Sequence, residues 1–516
     1  MKAFPVEILT IIFEFVYLAA SDASDDTPDR RAFPGSVYRP HGAGGGKYAG
    51  GPQRSITPAR EVVNLDFPLH TFAGVCRQWR DIIHTLPEFL SRIAIFVDDP
   101  PTPLASIQEQ IKATRGFPLD ILVTRRDFDE ESDPEIEHDY FKIMTDEKAR
   151  VKEVVKLLPT LIPTSRSIVF DLQYSTSLPY ISRDFHGPAK LLRVLKLACV
   201  QEGLDDTEHL PFLGVVSRKT SGDEFEVPLL SVLVLDGNTL VDALLLDSWK
   251  RQMKIMSMDT LSTSHLNLLK YENFTFTIHD LVHGLANFGS LRNLTLFDIK
   301  MESGCGDDDG GSSFLVDNLI MEDMDELCAE EFNVASDSGS TWCFAHFINT
   351  PITHASIPLV HHLRLQNIPN MGFEFNRSLT RFFGNRLDFL NCPELDDDHL
   401  EHIANSCLQV RRIYIENCPG ITVQGLQVMI TARGDLVDDS DDLIFEKLTI
   451  GYRDETESLL GCNSEADEKI QQGYDNNYQR KVACPIHRLH VTGHPAKLTR
   501  TERKWFERNV ETFTWT

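Results

Sequence analysis

Apolar residues recur at two different spacings along this 516-residue chain. Over residues 5–20, and again over residues 65–83, they follow the i, i+3, i+4 spacing that lines one face of a helix. From about residue 165 onward they follow the pattern L-x-x-L-x-L-x-x-(N/C/apolar), which is typical of a short strand followed by a return segment. The patterning therefore predicts a small helical part followed by a long α/β part.

The strand pattern recurs at uneven intervals. Its copies share a large apolar residue at the first and fourth positions, and they cover Leu192–Val200, Leu230–Asn238, Leu266–Phe274, Leu291–Ile299 and Val360–Ile368. Weaker copies are Ile168–Phe170, Phe445–Ile450 and Ile486–Val491. The interval between Leu291 and Val360 is rich in glycine and acidic residues, so it predicts one irregular repeat with an acidic loop at about 302–340.

Two copies of the repeat match at six positions with a constant offset of 26 residues. The matched sets are Leu387, Phe389, Cys392, Leu395, Leu400 and Ile403, and then Ile413, Ile415, Cys418, Ile421, Leu426 and Met429. A period in the twenties indicates a leucine-rich solenoid, with a strand and a return helix in each repeat. Because no single repeat buries its own apolar face, the repeats must stack on one another.

The segments outside this pattern have their own signals. Residues 93–97 and 117–123 alternate like strands, and residues 147–158 predict a helix. Residues 21–62 are acidic and glycine-rich with few large apolar residues, which predicts a disordered insertion between the two helical stretches.

Composition limits the partners and the compartment. Acidic residues exceed basic ones by 27, which argues against nucleic acid or an anionic membrane as the main partner and permits a basic protein partner. The ten cysteines are scattered, as in a reduced compartment. No charge-free apolar run reaches the roughly 18–20 residues of a membrane span. We therefore expect a soluble chain in the cytoplasm, the nucleus or both.

The sequence carries no motif that predicts catalysis, a cofactor or a metal. It lacks C-x-x-C, H-E-x-x-H and the nucleotide-binding fingerprints. Asp396–His399 together with His402 resemble metal ligands by spacing, but acidic residues also favour the start of a helix, and that is the interpretation adopted here. Cys392 and Cys418 are explained by the repeat.

Two short stretches carry a family resemblance. Phe4-Pro5-Val6-Glu7-Ile8-Leu9 is followed by Ile12-Phe13, and Val75-Cys76-Arg77-Gln78-Trp79-Arg80 follows about 60 residues later. With Pro87–Ile93 they resemble an F-box of the kind abundant in mushroom-type fungi. The Cys-Pro pairs at 392–393 and 418–419 resemble the cysteine-containing repeats of F-box receptors.

The resemblance implies a fold and a partner. The expected fold is multi-domain α+β: an all-α F-box with its insertion at 1–97, a connecting α/β segment at 98–164, and an irregular α/β leucine-rich-repeat solenoid at 165–516. The F-box would dock a Skp-type adaptor, and through it a cullin. The residues that would contact the adaptor or support that contact are Phe4, Pro5, Ile8, Leu9, Ile12, Phe13, Val75, Cys76 and Trp79.

By the same resemblance, the repeats would hold a protein substrate on their concave face for ubiquitination and proteasomal degradation, and the chain itself would do no covalent chemistry. Two alternatives stay open. One is a leucine-rich interaction scaffold with a degenerate F-box, outside any ligase. The other is an enzyme whose active residues lie in the irregular region at 300–345.

Overall fold

The computed structural model describes twelve stretches of the chain, which are residue 9 and residues 75–85, 90–126, 137–201, 225–269, 276–302, 316–336, 342–352, 360–368, 371–380, 382–441 and 484–516. The chain divides into two compact units, residues 1–302 and residues 303–516. The predicted insertion at 21–62 and the weak repeat copy at 445–450 lie outside the described residues.

The described part of the first unit contains seven strands, which pair in parallel and in chain order. They are β1 (Arg92–Phe96), β2 (Leu119–Thr124), β3 (Ser165–Tyr174), β4 (Val194–Gln201), β5 (Val232–Asp236), β6 (Ser257–Asn267) and β7 (Ser290–Lys300). The strands predicted at 93–97 and 117–123 are confirmed as β1 and β2. The parallel ladder therefore begins at Arg92, before the region where the leucine pattern becomes clear.

One helix precedes β1, and helices follow most of these strands, as is usual for the crossovers between parallel strands. They are α1 (Arg77–Thr85), α2 (Leu104–Ala113), α3 (Glu137–Val155), α4 (Leu158–Leu161), α5 (Ile181–Asp184), α6 (Gly237–Leu245), α7 (Asp247–Met253) and α8 (Ile278–Leu285). The predicted helix at 147–158 is confirmed, although α3 begins ten residues earlier. Side chains fix the helix starts: Asp236 accepts the N–H of Asn238, and Thr277 forms a reciprocal capping box with Asp280.

The described part of the second unit contains seven parallel strands, and those with described ladders again follow chain order. They are β8 (Val316–Glu322), β9 (Trp342–Ile348), β10 (Val360–Gln366), β11 (Arg386–Leu390), β12 (Arg412–Glu416), β13 (Arg488–Thr492) and β14 (Thr512–Trp515). The helices between them are α9 (Glu326–Ser336), α10 (Phe373–Leu379), α11 (Asp397–Ser406), α12 (Val423–Asp441) and α13 (Arg500–Asn509).

The predicted leucine positions form the core of the second unit. Leu363, Leu387, Ile413 and Leu489 lie opposite one another in β10–β13, and each is at most 2% exposed. The offset of 26 residues is confirmed as the register between β11 and β12. Burying a side chain of this size contributes about 1.5–3 kcal/mol, and stacking the repeats is what buries it.

The strand ends of the second unit carry a row of residues in the left-handed region. These residues have φ between 48° and 64°, and they are Asp323, Asn349, Asn367, Asn391, Asn417 and Gly493. Each donates its backbone N–H at 2.8–3.0 Å to the last carbonyl of the next strand or, for Gly493, to the carbonyl of Thr516, one residue beyond β14. Asparagine is the non-glycine residue that tolerates this conformation best, which explains its recurrence.

Two cysteine side chains form hydrogen bonds with backbone groups at the turns that follow β11 and β12. The Cys392 Sγ donates toward the carbonyls of Leu365 and Leu390 at 3.6 and 3.5 Å. The Cys418 Sγ lies 3.3 Å from the carbonyl of Glu416 and accepts the backbone N–H of Cys392 at 3.4 Å. The prediction that these cysteines belong to the repeat is therefore confirmed.

Two details of the predicted repeat are wrong. The third copy does not begin at Leu266, since Leu266 lies opposite Ile299, and Leu291 lies opposite Met258. The register of this copy was predicted wrongly because Thr263 occupies a position where leucine was expected. Residues 302–340 are not one acidic loop either, because 316–322 form β8 and 326–336 form α9.

The observed class is α/β, with parallel strands and intervening helices in each unit. This confirms the coarse prediction of an α/β repeat, and it replaces α+β for the part of the chain that the structure describes. The small all-α module is not evident there, because most of residues 1–89 lie outside the described ranges.

Candidate functional site

The adaptor-binding residues predicted from the family resemblance fall mostly outside the described residues. This applies to Phe4, Pro5, Ile8, Ile12 and Phe13. Leu9 is helical and 4% exposed.

Val75, Cys76 and Trp79 lie together where α1 begins. Val75 is 57% exposed, and the Cys76 side chain is also exposed. The Cys76 Sγ accepts the backbone N–H of Trp79 at 3.4 Å, which holds the first turn of α1. Ile82 lies further along the same i, i+4, i+7 stripe as Val75 and Trp79, and it is 5% exposed. The helix therefore presents Val75 and Cys76 to solvent while Ile82 anchors it.

The acidic cluster before α11 has structural partners, as predicted. Asp396 accepts the N–H of His399 at 3.1 Å, and the His399 Nδ1 accepts the backbone N–H of Asp396 at 3.3 Å. The Asp397 carboxylate accepts the N–H and the hydroxyl of Thr422 at 2.8 and 2.6 Å. In the described part of the chain, no three His, Cys, Asp or Glu side chains are grouped so as to hold a metal ion.

The outward face of the second unit's sheet gathers polar side chains that the sequence had not singled out. Because strand side chains alternate between faces, the residues between the core leucines point away from the core. One row across β11–β13 is Arg386, Arg412 and Arg488, and the next row across β10–β13 is Arg364, Asp388, Tyr414 and His490. We call these seven residues the arginine face.

Asp388 is the buried centre of the arginine face. Its side chain has no exposed surface. It accepts a bond from the His362 Nε2 at 2.8 Å, and it is paired with the Arg364 Nη2 at 3.1 Å and the Arg386 Nε at 2.8 Å. Burial by itself raises the pKa of a carboxyl group, but the bonds from His362 and Arg386 and the charge of Arg364 lower the pKa of Asp388 to about 2. Asp388 is therefore ionised at neutral pH.

Aromatic rings extend the face on both sides of Asp388. The Phe344 ring lies 4.7 Å from the His362 ring, and the Arg364 guanidinium lies over Phe344 at 5.7 Å. On the other side, Tyr414 and His490 stack at 4.7 Å with an interplanar angle of 10°. Aromatic side chains therefore lie on both sides of the charged groups.

The neighbouring histidines are neutral at pH 7. Burial lowers the pKa of His346 to about 3, with the charge of Arg364 acting in the same direction. Burial also lowers the pKa of His362, against the opposing effect of Asp388. The positive charge next to Asp388 therefore comes from Arg364 and Arg386.

Arg412 and Arg488 differ from the other two arginines of the face. Both are exposed, and they are direct neighbours across β12 and β13. Within the described residues, neither side chain has a hydrogen-bond or ion-pair partner. They are therefore two adjacent guanidinium groups open to a ligand.

The sequence did contain a signal for this face. Arg386, Arg412 and Arg488 each come directly before the first core residue of their strand, Leu387, Ile413 and Leu489. The repeat is defined by its apolar positions, so the arginine that recurs at the position before them was not predicted as part of a site.

The region at 300–345, where an enzyme's active residues were the open alternative, is described for 300–302, 316–336 and 342–345. There, burial and the neighbouring charge of Asp323 raise the pKa of Glu322 to about 7. Its described partner in the ladder is Ile348, an apolar residue.

No family model matches this chain, and no curated protein matches it significantly. Among the helices that the structure describes, none has both the length and the apolar character of a membrane-spanning segment.

Proposed function

We propose that this chain is the substrate-recognition subunit of a Skp-cullin-F-box ubiquitin ligase. The N-terminal helices would dock a Skp-type adaptor, and the repeat face would bind a protein substrate. The observation that carries the proposal is a Cys-Arg-Gln-Trp-Arg helix start joined in one chain to parallel repeats with Cys-Pro bends. The chain would position a substrate for ubiquitin transfer by an associated enzyme.

The exposed start of α1 supports adaptor docking. Val75 is more than half exposed although it belongs to an apolar stripe, and a helix that leaves such a stripe open suits a partner helix or groove. The arginine face supports substrate binding, because it is a fixed polar surface on the side of the sheet opposite the core. The remaining alternative is a leucine-rich scaffold that binds proteins outside a ligase.

Co-purification with a Skp-type adaptor tests the proposal. The test variant is Pro5→Ala/Ile8→Asp/Trp79→Ala, and the matched control is Ile255→Asp/Trp505→Ala, which makes similar changes at an exposed and a half-buried position elsewhere. The parent and the control should bind, and the test variant should not, since truncating an apolar anchor at an interface costs about 2 kcal/mol or more. A folded parent that leaves the adaptor unbound would favour the scaffold.

A further inference from the structure

The loops that lead into the strands of the first unit form one edge of its ladder. Parallel strands paired in chain order all begin at the same side of the sheet, so the loops before β2–β7 lie side by side there. The described parts of these loops, which we call the strand-entry edge, are 114–118, 162–164, 185–193, 225–231, 254–256 and 286–289. At about 4.8 Å from strand to strand, the edge extends over about 24 Å.

The strand-entry edge is basic although the chain is acidic. The whole chain has a net charge of −27. In the described loops of this edge, Glu226 is the only carboxylate, and four exposed side chains are cationic: Arg115, Lys190, Arg193 and Lys254. None of these four has an ion-pair or side-chain hydrogen-bond partner in the part of the chain that the structure describes. The net charge that argues against an anionic membrane as the main partner is therefore reversed at this edge.

Large apolar side chains are exposed at the same edge. Eight such side chains are exposed in the described part of the first unit, and half of them lie in these loops. They are Phe117, Leu191, Leu229 and Ile255, which are 43%, 39%, 50% and 86% exposed. Leu191 and Leu229 have the same register position, three residues before the first pair of β4 and β5. Exposed apolar residues scattered singly are ordinary, but a row across neighbouring loops is a patch.

Hydrogen bonds between neighbouring loops fix the backbone of this edge. The N–H of Ala189 donates to the carbonyl of Glu226 at 2.7 Å. The Gln252 side chain donates to the carbonyl of Phe225 at 2.8 Å and accepts the N–H of Val227 at 3.0 Å. The exposed apolar side chains are therefore carried by loops that are already ordered, so binding through them does not require the loops to fold.

A cationic edge with separate exposed apolar side chains matches an anionic lipid surface. Each basic side chain near such a surface is attracted to it, and this attraction depends on the number of charges within a Debye length rather than on a fixed separation between them. Phenylalanine, leucine and isoleucine side chains gain by leaving water for the boundary between headgroups and acyl chains. A nucleic acid or a polyacidic peptide would pair with the cations but leave these apolar side chains in water.

We infer that the strand-entry edge docks the chain peripherally on an anionic lipid bilayer. Ile255, the most exposed of the four apolar side chains, enters the headgroup region next to Lys254, and Phe117, Leu191 and Leu229 enter beside it. Charge and apolar contact act together, because stable attachment of this kind takes two signals. The arginine face and the predicted adaptor-binding residues take no part, so the inference is independent of the proposed function.

Co-sedimentation of the full chain with lipid vesicles tests the inference. The vesicles consist of phosphatidylcholine alone or of phosphatidylcholine with about 30% phosphatidylserine, which supplies the negative surface. The apolar variant is Leu229→Ser/Ile255→Ser. Its matched control is Leu245→Ser/Leu269→Ser, which changes two exposed leucines of the same unit that lie outside the edge.

A second pair of variants isolates the contribution of charge. The charge variant is Lys190→Gln/Lys254→Gln, and its matched control is Lys142→Gln/Lys152→Gln, which removes the same charge from the exposed surface of α3. Polyglutamate serves as a competing acidic polypeptide.

The parent should sediment with the anionic vesicles and not with phosphatidylcholine alone. Each of the two test variants should lower the partition coefficient about tenfold or more, whereas each control should change it by less than about twofold. Higher salt should weaken the binding.

Four results would overturn the inference. They are no sedimentation with the anionic vesicles, equal sedimentation with both kinds of vesicle, a charge variant that loses binding while the apolar variant keeps it, and tighter binding to polyglutamate than to the vesicles. The last result would identify an acidic polypeptide as the partner of this edge.

Discussion

The central outward positions of the first unit's strands are mostly small or aliphatic, whereas those of the second unit are, except for Ile320, polar, aromatic or charged. The first set is Ala94, Leu122, Val169, Lys196, Val234, Ser262 and Thr295. The second set is Ile320, His346, Arg364, Asp388, Tyr414, His490 and Thr514. Both ladders bury apolar residues at the inward positions. The repeat therefore constrains one face of each strand and leaves the other free for recognition.

The buried charges differ in the same way. In the first unit, the Lys196 Nζ lies 3.3 Å from the Asp171 Oδ1, and these two form a self-contained pair. Burial raises the pKa of Asp171 in spite of Lys196. In the second unit, Asp388 neutralises a set of cations and has a lowered pKa. The surroundings of Asp171 therefore disfavour its charged form, whereas those of Asp388 favour it.

Replacing these two carboxylates by leucine should have opposite consequences. Asp388→Leu leaves Arg364 and Arg386 without their partner, and it should lower the free energy of unfolding by about 3–5 kcal/mol. Asp171→Leu combined with Lys196→Met removes both charges of the first unit's pair, and it should be neutral or stabilising. Urea denaturation measures both. A similar loss in the two variants would contradict the distinction between the units.

Substitutions at the ends of strands should have a smaller effect on the free energy of unfolding. Asn391 has φ of 52°, and the Asn417 Nδ2 donates to its side chain at 3.0 Å. Asn391→Ala should lower the free energy of unfolding by about 1–2 kcal/mol, because alanine is disfavoured in the left-handed region. Asn391→Gly should lower it less. The control in the same denaturation series is Asn385→Ala, at an exposed position with an ordinary φ. Equal losses in the free energy of unfolding at positions 385 and 391 would rule out a conformational cause.

Lowering the pH should change the contributions of Asp388 and Asp171 to stability in opposite directions. The pKa of Asp388 is about 2 in the folded chain, below the ordinary value of 3.8, so its charge stabilises the fold above pH 4 and this contribution is lost as pH falls toward 2. The destabilisation caused by Asp388→Asn should therefore shrink by about 1 kcal/mol between pH 6 and pH 3.

Asp171 should behave in the opposite way. Its pKa is raised in the folded chain, so its ionisation destabilises the fold as pH rises above 3.8. Asp171→Asn should consequently be less harmful at pH 6 than at pH 3. Chemical denaturation at the two pH values measures both variants, and parallel curves would show that the surroundings of the two carboxylates are equivalent.

The smallest expected effect on stability is that of replacing Arg412 and Arg488. Arg412→Gln/Arg488→Gln should change the free energy of unfolding by no more than about 0.5 kcal/mol, because both side chains are exposed and unpaired among the described residues. Any change at low salt should be stabilising, since the variant removes a like-charge repulsion. A loss of 2 kcal/mol would mean that the arginines hold the fold together.

The repeat was predictable wherever leucine, isoleucine or cysteine occupied its positions. The register of β11 with β12, and the strand at β13, followed from Leu387, Ile413 and Leu489. The prediction of the repeat failed at β6, where a threonine, Thr263, takes the place of leucine. It also failed at β8 and β9, whose core includes Met321 and Ala345. Burial accepts any apolar side chain of suitable size, so a pattern tuned to leucine loses such strands.

The arginine face could not be assembled from the sequence in the same way. Arg364 and Arg386 meet at Asp388 only because β10 and β11 pair in one register, and a shift by one residue would turn these side chains to the other face. Sequence spacing fixed that register for β11 and β12 alone. The adaptor-binding prediction had a different basis, family resemblance, and only Leu9, Val75, Cys76 and Trp79 are described.

Adjacency in this ladder is independent of distance along the chain. Arg386 and Arg412 are 26 positions apart, whereas Arg412 and Arg488 are 76 apart, and both pairs are direct neighbours across paired strands. The entropy of closing a connection grows only logarithmically, by about 0.6 kcal/mol for each doubling of its length. Insertions between repeats can therefore accumulate in evolution, or be engineered as fusion sites, while Arg412 and Arg488 stay direct neighbours across paired strands.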